Sequence, residues 1–329
     1  MYKHSIVNVL FFIPILCRSQ EFPTVCLEQE GTCYKGSWLS SPSNDNIRYA
    51  SFQGIRYAQP PIGELRFKSP QPFHPKPGVC YDVSNISQIS CPQFVNDGEG
   101  DYVVGQEDCL LLNIYIPEIV FKEVEINSFS DVKTKLPIMF WIHGGSYLFG
   151  SNNFDQYGPN QFMKDQNVIL ISINYRLGPF GFFSMGTEEV PGNAGLRDQN
   201  LALIWVQNYI EDFGGDSSMV TIFGESCGSF SIAMHLISPL SRGLYRRAIL
   251  ESGTALSPGF GQITVDHAVQ YAYMCAKELQ CDQEEQDVLA CLQSKDMSDI
   301  IKSMTYIMGG NPKYYTVPKF LLFNMTICN

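Results

Sequence analysis

The segment SMVTIFGESCGSFSIAMHLIS, residues 218 to 238, joins an apolar strand directly to an amphipathic helix. The joint is a GxSxG pattern in which Ser226 stands between Gly224 and Gly228. Glycine at both positions permits the tight backbone turn that lifts a serine above the end of a strand. The helix start then places the N–H group of Cys227 where an oxyanion would form. The pattern alone is weak, but this strand-to-helix context favours a nucleophilic serine over a plain Gly/Ser turn.

A second glycine-rich segment, WIHGGSYLFG (residues 141 to 150), follows another apolar strand. A loop of this kind can direct backbone N–H groups toward an oxyanion at a neighbouring serine. By itself the segment is equally compatible with a simple strand-to-loop turn. The interpretation as an oxyanion loop is favoured because the segment follows the end of a strand, where a partner of Ser226 is expected.

Apolar runs of strand length recur along the chain and alternate with segments of helical periodicity. NVILISINYR is apolar on both faces, as a strand covered by helices on both sides should be. Residues 194 to 212 have a helical pattern that stops at Gly214 and Gly215. Strands alternating with helices predict an α/β fold with a doubly wound, mostly parallel sheet.

The N-terminus has the features of a secretory signal. Lys3 and His4 precede an apolar run from Ile6 to Cys17, and Ser19 is a small residue suited to cleavage. The run is short for a bilayer span, so we expect a signal at residues 1–19 rather than an uncleaved anchor, and a secreted, extracellular domain at residues 20–329. No later segment approaches transmembrane length.

Charge and cysteine usage narrow the classes of partner. The net charge of −11 argues against nucleic acid and anionic membranes as partners. Eleven cysteines fit an oxidising compartment, and no CxxC pair or Cys/His cluster indicates a metal. The sequons at Asn85 and Asn324 predict glycosylation and are consistent with secretion. Sequence alone does not assign the disulfide pairing.

Several blocks together resemble the type-B carboxylesterase family, which includes cholinesterases, animal carboxylesterases and inactive neuroligin-type adhesion proteins. These blocks are FQGIRYAQPPIGELRF, EDCLLLNIY, NYRLGPFGF, GNAGLRDQNLALIWVQNYIEDFGGD and FGESCGSFSIAMHLISP. The resemblance runs from about residue 22 to residue 301. It implies an α/β-hydrolase fold, a small-molecule ester substrate, hydrolysis through a serine acyl-enzyme, and no cofactor.

The resemblance assigns the catalytic positions residue by residue. It puts the nucleophile at Ser226 and the oxyanion donors at the backbone N–H groups of Gly145, Ser146 and Cys227. Ser146 stands where the family usually has Gly or Ala, and Cys227 where it usually has Ala. A change of side chain leaves the backbone N–H donors in place. The larger side chains of Ser146 and Cys227 would, however, narrow the space beside the nucleophile for the acyl group of the ester.

Other motif residues are structural by the same resemblance. It implies the ion pairs Arg56–Glu107 and Arg176–Asp198. It also implies the disulfides Cys91–Cys109 and Cys281–Cys291. An extra local bridge between Cys26 and Cys33 is an open alternative outside the family pattern, and we expect Cys227 to be a free, buried thiol. Cys80, Cys275 and Cys328 are left unassigned.

None of the five histidines is a convincing base for Ser226. His4 lies in the signal, and His74 lies in a proline-flanked loop. His235 is nine residues along the helix that begins at Ser226, so it lies about 13 Å down the axis, beyond hydrogen-bond reach. His143 precedes the glycine loop, where the resemblance gives it the structural role of holding that loop.

Ser226, Glu251 and His267 follow the nucleophile–acid–base order of α/β-hydrolases, but Glu251 and His267 come too early after the nucleophile strand. In the family the acid and the base lie farther downstream than this sequence reaches. We therefore expect an N-terminal part of an ester hydrolase, with the acid, the base and the C-terminal strands of the sheet absent. The alternatives are a non-catalytic, secreted binding or adhesion protein and a truncated product without an independent role.

Overall fold

The computed structural model describes residues 21–41, 44–85, 89–96, 101–124, 135–165, 167–256, 264–283 and 287–308. The expected signal at residues 1–19, the sequon at Asn324 and Cys328 lie outside the described residues. Within the described part, no helix is both long and apolar enough to cross a lipid bilayer.

The described residues form twelve strands and eight α-helices. The strands are β1 (Thr24–Leu27), β2 (Thr32–Lys35), β3 (Ser37–Ser41), β4 (Asn44–Arg56), β5 (Cys80–Asp82), β6 (Gln93–Asn96), β7 (Asp101–Val104), β8 (Leu111–Pro117), β9 (Leu136–Ile142), β10 (Ile169–Ile173), β11 (Gly215–Glu225) and β12 (Arg247–Glu251). The helices are α1 (Glu118–Val124), α2 (Phe154–Tyr157), α3 (Gly178–Phe182), α4 (Ala194–Tyr209), α5 (Cys227–Ile237), α6 (Val265–Glu278), α7 (Val288–Ser294) and α8 (Met297–Met308). Short 3-10 turns occur at Gly63–Leu65, Phe162–Lys164, Ile210–Phe213 and Pro239–Ser241.

The central sheet has seven strands in the order β12-β11-β9-β10-β8-β4-β3. The pairings β12–β11, β11–β9 and β9–β10 are parallel, whereas β10–β8, β8–β4 and β4–β3 are antiparallel. The prediction of an α/β sheet is therefore correct, but "mostly parallel" describes only the half that carries the GxSxG turn. The pair β3–β4 is antiparallel because a short connection returns the chain beside itself.

Both faces of the sheet are covered, which explains the continuous apolar runs in the sequence. Ile114 and Ile116 of β8 lie in the large core that α4 and α5 cover. Tyr115 between them points to the opposite face, where it packs with Leu170 and Phe223. Side chains alternate between faces along a strand, so a strand that is buried on both faces needs apolar residues at nearly every position. A further apolar cluster surrounds α6, α7 and α8.

Among the described residues, three disulfides constrain the loops around this sheet. Cys26–Cys33 links β1 to β2, Cys91–Cys109 closes a loop of the N-terminal half, and Cys281–Cys291 joins the end of α6 to α7. The second and third are the pairs that the resemblance implied, and the first is the local bridge that the sequence left open. Cys80 is exposed and outside these disulfides, whereas the buried thiol of Cys275 lies 3.0 Å from the hydroxyl of Ser303.

The expected pair of Arg176 with Asp198 is present and fully buried. The guanidinium donates from Nε and Nη2 to the two carboxylate oxygens at 2.8 and 2.7 Å. The backbone N–H of Arg176 donates to the same carboxylate at 3.0 Å, and Nη1 donates to the carbonyl of Lys68. This bidentate pair links the segment after β10 to helix α4, because Asp198 lies in the first turns of that helix.

The expected pair of Arg56 with Glu107 is wrong. Arg56 pairs with Asp108, while Glu107 pairs with Arg66. The chain bends at Glu107, where the Cys109 N–H donates to the Glu107 carbonyl, and the Glu107 side chain is 11% exposed against 35% for Asp108. Arg66 is the deeper cation: its Nη1 also donates to the carbonyls of Leu292, Gln293 and Lys295 at the end of α7, where a cation is favoured.

We predict that Arg66→Gln destabilises the chain by about 3 kcal/mol, since it leaves the buried Glu107 carboxylate and the α7 carbonyls without their cation. The matched change Arg56→Gln removes a half-exposed pair and should cost less than about 1 kcal/mol. Urea unfolding of the two variants beside the parent measures both changes. Equal destabilisation would contradict the assignment of Glu107 to Arg66.

Candidate active site

Ser226 occupies the junction between β11 and α5 in a strained backbone conformation. Its φ is 54° and its ψ is −121°, in a region that residues with a Cβ rarely adopt. Two hydrogen bonds hold the junction: Ser226 N–H donates to the Glu251 carbonyl at 2.9 Å, and Phe230 N–H donates to the Ser226 carbonyl at 3.0 Å. Strain of this kind is typical of functional positions that the surrounding fold must enforce.

The two glycines of the GxSxG pattern are required by close approach to β9. A Cβ added at Gly228 would lie 2.1 Å from the carbonyl oxygen of Ile142, and one at Gly224 would lie 2.5 Å from the same atom. Both distances are far below van der Waals contact, so any side chain would push the turn away from β9. The glycines thereby fix Ser226 directly over the carboxyl end of β9.

The glycine loop that follows β9 reaches the same place. Gly224 is paired with Ile142 in the parallel register of β11 and β9, so the two strands end side by side. A Cβ built at Gly144 would lie 3.3 Å from the Cβ of Ser226. The structure therefore brings together Ser226 and the loop that the sequence analysis assigned to it.

This loop has an unusual run of backbone angles. Gly145, Ser146 and Tyr147 have φ values of 107°, 56° and 58°, all in the positive region. The Gly145 carbonyl accepts from the N–H groups of Leu148 and Phe149, which closes the turn. Cys227 is the first residue of α5, so its N–H has no acceptor within the helix and stays available to a ligand. That the N–H groups of Gly145, Ser146 and Cys227 converge on one oxyanion remains a prediction.

The side chain of Cys227 connects the nucleophile helix to the glycine loop. Its buried Sγ accepts from the N–H of Tyr147 at 3.2 Å and lies 3.8 Å from the Tyr175 hydroxyl. Burial raises the pKa of Cys227 to about 11, so the thiol is neutral at physiological pH. The bulk of Cys227 is evident from the sequence, but its contact with Tyr147 is not, because nothing in the sequence indicates which backbone group meets the sulfur.

His143 supports the loop from behind. Its Nδ1 donates to the carbonyl of Gly144 at 2.8 Å, its ring stacks on Tyr175 at 4.4 Å, and its own carbonyl accepts from the Tyr175 hydroxyl. Burial lowers the pKa of His143 to about 4, so the ring is neutral. These contacts match the structural role that the resemblance implied.

His235 is the centre of a buried polar network below the site. Its Nε2 donates to Gln199 Oε1 at 3.0 Å, and its Nδ1 accepts from the Ser241 hydroxyl at 2.7 Å. Gln199 in turn donates to Ser231 Oγ, which is 3.0 Å from the hydroxyl of Tyr147. Burial lowers the pKa of His235 to about 4. The histidine that the helix geometry had assigned to packing therefore supports the glycine loop through a chain of hydrogen bonds.

Among the histidines that the structure describes, none is hydrogen-bonded to Ser226. His74 and His267 are both exposed, and the latter lies in the first turn of α6. Glu251 is exposed at the end of β12 and meets Ser226 through its backbone carbonyl. The described residues also contain no group of three or more His, Cys, Asp or Glu side chains that could hold a metal ion.

We predict that acid weakens this fold through its two buried histidines. Each has a folded pKa of about 4 against an ordinary value of 6.5, so the unfolded chain binds more protons between these limits. Their contribution to the free energy of unfolding is complete above pH 6.5 and is lost as the pH falls toward 4. At pH 5 the free energy of unfolding is lower by about 2 kcal/mol for each histidine.

Urea unfolding of the parent and of His235→Gln at neutral and mildly acidic pH measures this loss. The variant should be less stable at neutral pH but should lose less on acidification, because one titrating group is gone. His74→Gln is the matched control, since that side chain is exposed. An identical pH slope for the parent and His235→Gln would refute the prediction.

Comparison with protein families matches residues 30–320 to the carboxylesterase family. Venom carboxylesterase-6 of Apis mellifera is 41% identical over 299 residues, which are 90% of this chain and 50% of the bee protein. A carboxylic ester hydrolase of Bombus ignitus is 42% identical over 263 residues, 77% of this chain and 43% of its own length. The acetylcholinesterase of Electrophorus electricus is 35% identical over 309 residues, 90% of this chain and 46% of the eel protein.

This chain thus spans about half the length of the curated relatives it matches. The matched part includes β9, β11, α5 and the two loops that meet at Ser226. Since the match extends over most of the sequence, the chain belongs to the carboxylesterase family.

Proposed function

We propose that Ser226 is the nucleophile of a carboxylic ester hydrolase, and that this sequence is the part of the enzyme that carries the nucleophile and the oxyanion donors. The observation that supports this proposal most strongly is the strained turn at Ser226, held against β9 beside the glycine loop. A binding protein would need neither the strain nor the close approach of Gly144 to the serine.

In the proposed reaction the Ser226 hydroxyl attacks the ester carbonyl while a base takes its proton. The resulting oxyanion would be stabilised by the N–H groups of Gly145, Ser146 and Cys227. Collapse of the tetrahedral intermediate expels the alcohol, which takes the proton from the base and leaves an acyl-enzyme. Water then hydrolyses the acyl-enzyme by the same steps and releases the acid.

We infer that the base and its orienting acid belong to a longer product and follow the last residue of this sequence. The ring of His143 is held against the Gly144 carbonyl and Tyr175, both ring nitrogens of His235 are hydrogen-bonded, and burial holds each ring neutral. The relatives are about twice as long as this chain, which leaves room for both groups. We also infer that such a product adds further strands to the sheet.

Secretion is part of the same proposal. We infer that residues 1–19 are removed as a signal and that Asn85 carries a glycan. The exposed position of Asn85 and the three disulfides among the described residues support an extracellular setting. Asn324, the second sequon, lies outside the described residues.

We predict that this chain alone gives no multiple-turnover hydrolysis of a simple aryl ester, whereas a longer product containing a downstream acid and histidine does. Removing a base from such a triad costs about 10⁶ in turnover. An intact oxyanion site alone leaves a rate only about 10³–10⁴ times that of the uncatalysed reaction in water. The assay compares both products with their Ser226→Ala variants. An inactive longer product would favour the non-catalytic binding alternative, and robust turnover by this chain would overturn the inference about the base.

We further predict that the longer product prefers neutral esters to choline esters. Cholinesterases hold the quaternary ammonium against a Trp in the loop closed by their first disulfide, through a cation–π contact. The corresponding loop, closed here by Cys91–Cys109, contains Phe94 and Tyr102 but no Trp. Comparing kcat/KM for acetylcholine and for a short-chain aryl ester tests this. Faster hydrolysis of acetylcholine would refute it.

A further inference from the structure

Three cysteines lie side by side across the small sheet formed by β1, β2 and β5. In the antiparallel pair of β1 and β2, Cys26 stands opposite Cys33, and these two form a disulfide. In the parallel pair of β2 and β5, Cys33 stands opposite Cys80, which is exposed and outside the three disulfides of the described residues. Cys33 therefore has its disulfide partner on one neighbouring strand and a thiol on the other.

The register places all three cysteines on the same face of this sheet, because residues directly opposite each other on paired strands point the same way. The other face carries Val25 and Tyr34, which lie in the large core, and Tyr81, whose ring stacks on Tyr34 with centroids 5.6 Å apart. The next pair on the cysteine face is Lys35 and Asp82, whose side chains form an ion pair at 3.4 Å. Contacts on both faces thus agree with the direction in which the cysteines point.

Strand spacing decides which of these cysteines can be joined. Neighbouring strands are about 4.8 Å apart, within reach of a disulfide, whose Cα atoms are seldom more than about 6.8 Å apart. Cys33 is one spacing from each of its neighbours, whereas Cys26 and Cys80 are two spacings apart, about 9.6 Å. The folded chain can therefore hold Cys26–Cys33 or Cys33–Cys80, but not Cys26–Cys80.

The order of the strands also favours exchange between the two pairings. A thiolate breaks a disulfide by attacking one sulfur along the S–S axis, from the side opposite the sulfur that leaves. Because β2 lies between β1 and β5, Cys80 approaches Cys33 from the side that faces away from Cys26. Cys33 is only 6% exposed, so the adjacent strand reaches its sulfur more readily than a dissolved thiol does.

We propose that Cys26, Cys33 and Cys80 form a disulfide relay, in which the thiolate of Cys80 attacks Sγ of Cys33 and releases Cys26. A new S–S bond joins Cys33 to Cys80 as the bond between Cys26 and Cys33 breaks. Cys80 gives its proton to the solvent before the attack, and the Cys26 thiolate takes one up afterwards. The number of disulfides is unchanged, so the reversible step needs no oxidant or reductant. It does not depend on any chemistry at Ser226.

The relay changes which strand is covalently held. Cys26–Cys33 spans a sequence separation of 7 and ties β1 to β2. Cys33–Cys80 would instead tie β2 to β5, across 47 residues, and would leave β1 held by its backbone pairing with β2 and by the buried side chains of Val25 and Leu27. In an unfolded chain the shorter loop closes about 17 times more readily, since closure scales as the −3/2 power of loop length. The fold removes that bias, because it holds both partners one strand away from Cys33.

Thiol trapping in the purified protein tests the relay. The three cysteines are common to this chain and to a longer product, so either can be used. After incubation at pH 8, the protein is quenched with acid, alkylated and digested without reduction, and cleavage after Glu28 separates Cys26 from Cys33. Alkylation should divide between Cys80 and Cys26, with more than about one part in 17 on Cys26. The division should be reached about tenfold faster for each pH unit between 6 and 7, because the thiolate is the attacking form.

Serine variants distinguish the relay from chance pairing. Cys26→Ser should acquire the disulfide Cys33–Cys80, and Cys80→Ser should keep Cys26–Cys33 with neither cysteine alkylated. Cys33→Ser should leave Cys26 and Cys80 as thiols, since they are too far apart to pair. Cys275→Ser, which removes a thiol outside this sheet, is the matched control and should leave the division unchanged.

Three results would each overturn the proposal. The first is a parent protein in which Cys26 is never alkylated. The second is a folded Cys26→Ser variant in which Cys33 and Cys80 both remain thiols. The third is a disulfide that joins Cys80 to a cysteine other than Cys33.

Discussion

The geometry of the site depends on the close approach of two glycines to the carbonyl oxygen of Ile142. Gly228 and Gly224 both approach it so closely that neither position can carry a side chain. That contact sets the end of β11 directly beside the end of β9 and turns the chain sharply into α5. Ser226 takes its positive φ because of this turn, and the glycine loop after β9 lies next to it because the two strands are parallel neighbours. An α/β-hydrolase sheet, which the carboxylesterase family implies, provides this pair of parallel strands.

The strain at the turn and in the loop is held by buried groups on several elements. Cys227 accepts from the Tyr147 backbone, His143 holds the Gly144 carbonyl, and His235 reaches the Tyr147 side chain through Gln199 and Ser231. Each is buried and hydrogen-bonded, so a change in any of them would be expected to alter the loop. The two histidines thus stabilise the loop as neutral hydrogen-bonding groups.

The parts of the fold that follow from local pattern could be predicted from the sequence. The strand, the GxSxG turn and the helix around Ser226 each have a distinctive pattern, and the parallel strands are marked by apolar runs. The antiparallel half of the sheet was not predicted, because β4, β8 and β10 are distant in sequence and no local pattern indicates how they come to lie side by side. Arg56 was paired with the wrong carboxylate, since Glu107 and Asp108 are neighbours and only the fold decides which one points inward. The contact of Cys227 with Tyr147 was missed for the same reason.

The most direct test of this account is the stability of Gly228→Ala. Gly228 is the second residue of α5, and within a helix Ala is ordinarily more stable than Gly by about 1 kcal/mol. Here the added methyl group would meet the Ile142 carbonyl at 2.1 Å, which is backbone and has little freedom to move. Gly228→Ala should therefore lower the free energy of unfolding, measured by urea titration. A variant as stable as the parent, or more stable, would contradict the claim that the glycines are there to hold the turn against β9.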